Sequence, residues 1–166
     1  MAIIKVHDKS FDIYLPEEKI QQRIKELAAD INRDYKGRRP LFIAILNGSF
    51  MFASDLFKYL DIEAELCFIK LASYKGMKSS GNVVTSIGLE DDLFGKDVII
   101  VEDIVDTGKT LHNFLPKLIH QQPKSMKIAT LLHKPDAQPP FSLLPTSDSR
   151  QTLVWHQPLR HSPVSV

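Results

Sequence analysis

Two unbroken apolar runs of strand length constrain this chain most: Leu41-Phe42-Ile43-Ala44-Ile45-Leu46 and Val98-Ile99-Ile100-Val101. A strand with one wet face alternates apolar and polar residues, whereas a run without alternation has apolar surroundings on both faces. Each run leads into a loop of small or acidic residues and then into a helical pattern. Strand, tight loop, helix, repeated, predicts a mainly parallel sheet with helices packed on both sides.

The remaining pattern agrees. Between Pro16 and Tyr35, apolar residues at Ile20, Ile24, Leu27, Ala28 and Ile31 form one helical stripe, with Pro16 suited to the first turn and Gly37 to the end. After the loop Asn47-Gly48-Ser49 a second helix is expected to about Leu60. Further strands are expected at Glu63 to Ala72, Val83 to Ile87 and Lys127 to Leu132, and a third helix from Lys109 to His120, where Pro116 should kink or shorten it. The expected fold class is therefore α/β, a mainly parallel twisted sheet flanked by helices. In such sheets ligands sit beyond the carboxyl ends of the strands, which singles out the loops after Leu46 and after Val101.

Composition excludes several classes. A formal net charge of +1 argues against a protein that coats nucleic acid, and 43% hydrophobic with 25% charged residues is ordinary for a globular domain. The lone Cys67 cannot form an internal disulfide or a thiolate zinc cage, and in its apolar strand it reads as a core residue. No apolar run approaches membrane-spanning length, and Met1 to Lys5 lack a signal peptide's hydrophobic stretch, so a cytoplasmic protein with no membrane partner is expected. The six histidines show no ligand spacing. Glu90-Asp91-Asp92 reads as a solvated turn.

The chain changes character near its end. Residues 1–136 read as one patterned domain, whereas residues 137–166 carry half of the prolines and no glycine, lysine or glutamate. This Pro/Ser-rich tail is expected to be extended, loosely docked or disordered. A shifted reading frame would also leave such a break. With suitable codons, Ser149 to Gln157 moved by one nucleotide can read Pro-Asp-Lys-Leu-Trp-Tyr-Gly-Ile.

The segment from Val98 to Thr110 carries the chemistry. Buried-type residues run into Glu102 and Asp103, then Ile104 and Val105, then Asp106-Thr107-Gly108-Lys109-Thr110 at a helix start. The second half suits a phosphate cradle of backbone N–H groups and hydroxyls. The paired acids suit sugar hydroxyls or a magnesium ion with its waters. Together they suit a magnesium-bound ribose phosphate. A nucleotide P-loop is the competing match to Gly108-Lys109-Thr110, but its first glycine would fall at position 103, where Asp103 stands.

The segment VIIVEDIVDTGKTL resembles the phosphoribosyl pyrophosphate (PRPP) signature of type I phosphoribosyltransferases, specifically the hypoxanthine-guanine enzymes of purine salvage. The resemblance extends through LFIAILNGSFMFASDL, KLASYKG and IATLLHKPDA, in the family's order. It implies that Glu102 and Asp103 hold the ribose hydroxyls and magnesium, and that Asp106, Thr107, Gly108, Lys109 and Thr110 wrap the 5-phosphate. Asp106 would also act as general acid or base at the purine imidazole, and Ile104 would lie against the base. Leu46, Asn47 and Gly48 would form the pyrophosphate loop, in which the family often has a strained or cis peptide. Ser73 and Tyr74 would begin the flexible loop that closes over the reaction.

The implied reaction joins hypoxanthine or guanine to PRPP with release of pyrophosphate, using Mg2+ and no nucleic acid, in a homodimer or homotetramer. After a Lys-Pro-Asp-Ala segment, relatives continue into a hood with a base-binding lysine and a stacking aromatic. Here no lysine, glycine or tyrosine follows Ala137, so the hood is altered or missing, and Phe141 and Trp155 read as incidental to the tail. A rival expectation is a non-catalytic PRPP-binding relative, regulatory or damaged. A nucleic-acid-binding regulator on the same fold would need a basic face, against which the balance of basic and acidic residues before Ala137 argues.

Overall fold

The computed structural model describes residues 3–72, 83–85, 92–106, 109–133 and 154–158. Strands β1 (Ile3–Val6) and β2 (Lys9–Asp12) precede helix α1 (Glu17–Asp34); β3 (Leu41–Leu46), α2 (Ser49–Phe57), β4 (Glu65–Ala72) and β5 (Val83–Thr85) follow. Then come β6 (Asp97–Val105), α3 (Lys109–Ile119), β7 (Ser125–His133) and β8 (Val154–Pro158). The main sheet runs in the order β5-β4-β3-β6-β7-β8, and β1 and β2 pair separately as an antiparallel hairpin. Within the main sheet β5 is antiparallel to β4, and the other neighbours are parallel.

The two apolar runs lie side by side at the centre, Leu41 opposite Val98 and Ala44 opposite Val101. Their alternate residues bury opposite faces. Leu41, Ile43, Ile45, Val98 and Ile100 pack under Leu111, Phe114, Leu115 and Leu118 of α3. Phe42, Ala44, Ile99 and Val101 pack under the α1 stripe of Ile24, Leu27, Ala28 and Ile31 and under Phe52, Ala53 and Leu56 of α2. Phe42 and Phe57 meet edge to face at 4.9 Å between centroids. Two buried faces are why the runs Leu41 to Leu46 and Val98 to Val101 contain no polar residue.

The structure corrects some expectations and adds elements for which none was stated. The acids after Val101 belong to a strand, not a loop, because β6 stays paired with β7 as far as Val105 opposite His133. The β1–β2 hairpin turns through His7 and Asp8, with His7 at φ 55°, and its residues lack the usual Asn-Gly signal. Within the tail, Val154–Pro158 is extended chain, as one of the expected alternatives has it, and joins the sheet beside β7, Val154 opposite Ile128. Helix α3 continues past Pro116 to Ile119, one residue short of the expected end. Cys67 is only partly buried, against the α3-side core. Ser73, Tyr74, Glu90, Asp91, Ser86, Ile87 and residues 134–153 lie outside the described residues.

Connections from β3 lead through α2 to β4 on one side, while those from β6 lead through α3 to β7 on the other. The crossover connections thus diverge between β3 and β6. Such a switch point opens a crevice at the strands' carboxyl ends, where ligands of α/β sheets bind.

Candidate active site

Both candidate loops converge on that crevice. β3 ends at Leu46, and the Leu46–Asn47 peptide is cis. Gly48 precedes α2, whose first turn contains no acidic residue. The fully buried Ser49 donates from Oγ to the Ile45 carbonyl at 2.6 Å, and Phe50 N–H donates to the Asn47 carbonyl at 3.3 Å. These bonds fasten the turn back onto the strand that delivers it.

Opposite stands the end of β6. Glu102, Asp103 and Ile104 are half-buried and Asp106 is exposed. The Asp103 carboxylate lies against Gly48: a methyl group on that residue would sit 2.7 Å from Asp103 Cγ and Oδ1 and meet Oδ2 as well. The structure therefore brings the loop after Leu46 and the acidic end of β6 into contact.

Glu102 is paired in register with the buried Thr130 of β7. Its Oε2 is buried with no hydrogen-bond partner. Burial, the neighbouring Asp103 charge and a hydrogen bond with Asp103 push the Glu102 carboxyl up to about 8. An orphaned carboxyl oxygen beside a second acid fits a hydroxyl donor or a cation, either of which would favour the charged form. Among the described residues no cluster of three or more acidic, histidine or cysteine side chains could hold a metal alone. A pair of carboxylates suits magnesium, which keeps waters and takes further ligands from substrate phosphates.

Beyond Val105 only residues 106–108 separate β6 from α3. Lys109 and Thr110 are the first residues of that helix, whose amino end is a place for an anion. Thr107 and Gly108, like Ser73 and Tyr74, lie outside the described residues. Sequence reading passes over Thr130, whose hydroxyl donates to the Leu132 carbonyl at 3.0 Å, and over the buried position of His133 opposite Val105. Neither carries a local signal, since only the pairing of β6 with β7 brings them to the crevice.

Comparison with known proteins agrees with this geometry. The phosphoribosyl transferase domain family matches residues 10–158. A hypoxanthine-guanine-xanthine phosphoribosyltransferase of Tritrichomonas foetus is 41% identical over 118 residues, 71% of this chain and 64% of that protein. The chain thus spans somewhat less than two thirds of that relative. The hypoxanthine phosphoribosyltransferase of Buchnera aphidicola is 40% identical over 76% of this chain and 73% of its own length. Among solved structures, a hypoxanthine-guanine phosphoribosyltransferase from Bacillus anthracis superposes with a TM-score of 0.72 at 33% identity, covering 90% of this chain and 83% of that one. A Trypanosoma cruzi hypoxanthine phosphoribosyltransferase variant complexed with the product IMP gives 0.73 at 31% identity, covering 94% and 80%. With the signature on β6 and the glycine loop on β3 meeting at one crevice, the chain belongs to the phosphoribosyl transferase family, beside its hypoxanthine-guanine members.

Proposed function

We propose that this chain transfers the phosphoribosyl group of PRPP to hypoxanthine, and to guanine, forming IMP or GMP and pyrophosphate in purine salvage. The observation that carries the reading is the contact between Gly48 and Asp103, which joins an anion-binding turn to paired carboxylates. A ligand with phosphate at one end, sugar hydroxyls in the middle and pyrophosphate at the other matches that order of groups.

In this reading residues 106–108 and the start of α3 take the 5-phosphate, with Lys109 and Thr110 at the helix amino end. Glu102 and Asp103 accept hydrogen bonds from the ribose hydroxyls and would hold Mg2+, which when bound with substrate neutralises the leaving pyrophosphate. Backbone groups of Leu46, Asn47 and Gly48 receive the pyrophosphate, because a residue without a side chain lets an anion approach closely. The bond from the anomeric carbon to the pyrophosphate oxygen breaks, and a purine imidazole nitrogen bonds to that carbon from the opposite face. Asp106 takes the proton that this nitrogen loses. Ile104 packs against the base, and Ser73 and Tyr74 belong to a loop that excludes water.

The same reading makes the protein a cytoplasmic homodimer or homotetramer that engages neither nucleic acid nor membrane. No helix among the described residues is long and apolar enough to cross a membrane.

Hypoxanthine-dependent pyrophosphate release, measured with PRPP and magnesium on the folded chain, tests the reading, and turnover at an ordinary enzymatic rate is the expected result. One observation favours a second reading: no lysine, glycine or tyrosine follows Ala137 to build a purine pocket. PRPP binding without turnover would establish a non-catalytic PRPP-binding relative instead.

A further inference from the structure

Gly48 has φ −57° and ψ −44°, ordinary right-handed helical values open to any residue. Backbone torsion therefore gives no reason for glycine here. Space does. A Cβ at this position would stand 2.7 Å from both Cγ and Oδ1 of Asp103 and would also strike Oδ2, separations that carbon and oxygen atoms do not tolerate without movement. All three atoms belong to the carboxylate of one side chain, so the element that yields is that carboxylate and not the frame of the sheet.

We infer that Gly48 is a positioning residue for Asp103: its missing side chain is the seat that fixes the carboxylate at the carboxyl end of β6. The seat lies between the turn after β3 and the acidic strand end, so it couples the two halves of the crevice. No acid within the first turn of α2 occupies this place, and Asp103 arrives from a different strand. A carboxylate held there by van der Waals contact keeps one orientation toward the ribose and cation side, whereas a displaced one must be re-seated at each binding event. Gly48 thus acts on the sugar as well as on the pyrophosphate.

The inference rests on the proposed PRPP site, and a double-mutant cycle separates the two. Magnesium-PRPP affinity, PRPP KM and hypoxanthine KM are measured for the wild type, Gly48→Ala, Asp103→Ala and the double variant. Crystal structures of the wild type and Gly48→Ala accompany them. Gly48→Ala is expected to fold, to weaken PRPP binding by about tenfold to a hundredfold, to leave hypoxanthine KM unchanged, and to cost distinctly less in the Asp103→Ala background, where only its effect on the pyrophosphate remains. Equal loss in both backgrounds would overturn the inference, because the added methyl would then act on the anion directly. An unmoved Asp103 carboxylate in the Gly48→Ala crystal would overturn it whether or not PRPP binds. A displaced carboxylate together with a wild type that fails to bind PRPP would support the seat and reject the assigned ligand.

Discussion

At the scale of single residues, the carboxylates of the crevice differ in environment and so in expected behaviour. Asp106 is exposed beyond the end of β6, where it can meet a ligand's proton without a large burial cost. Asp106→Asn is expected to slow nucleotide formation by about 10²-fold or more while leaving PRPP affinity nearly unchanged; isothermal titration beside single-turnover kinetics checks this, and equal loss in both would refute the acid-base role. Glu102 lies deeper. Its folded-state carboxyl titrates near about 8, against an ordinary value of 4.5. Between those values the folded protein holds a proton that the unfolded chain has lost, so in the ligand-free protein this contribution to stability falls as pH rises from about 4.5 to about 8. Thermal unfolding across that window should show the decline in the wild type and a flatter profile in Glu102→Gln; parallel profiles would contradict it. The acids themselves were legible in the sequence from their place after a buried run. Their different burial was not, since it depends on Thr130 and on the neighbouring strand.

At the scale of elements, the two central strands and the turn after β3 carry the proposed site. Ile100 is completely buried between its neighbours on the α3 face. Ile100→Ala is expected to cost about 2–5 kcal/mol, read from urea unfolding; a cost below that range would mean that the core collapses around the gap. Ser49→Ala removes the bond from Oγ to the Ile45 carbonyl and should cost about 1 kcal/mol, with a rise in PRPP KM as the turn loosens. Strands β3, β4 and β6 and helices α1, α2 and α3 were readable because period and length agree with burial. The hairpin β1–β2 was not, because His7 and Asp8 form its turn without a glycine. The length of β6 was misjudged for a related reason: two acids look like a loop until β7 is found still paired beside them.

At the scale of the whole molecule, β8 closes one side of the sheet by pairing with β7. Removing residues 154–166 should expose the edge of β7, lower the unfolding midpoint by about 2–4 °C for each kcal/mol of pairing lost, and promote association seen by light scattering. An unchanged midpoint in a monodisperse sample would show that β8 contributes little.

The sequence by itself determined the α/β class, the two strands buried on both faces, and the residue types that a ribose phosphate requires, because periodicity and short motifs are local properties. Only the tertiary structure decided that Gly48 and Asp103, far apart in the chain, touch. It also decided that Glu102 has a buried oxygen without a partner and that a strand from an unpromising tail joins the sheet. Each of these depends on which strands become neighbours, and strand order is set by the packing of the whole sheet between its helices rather than by any segment alone.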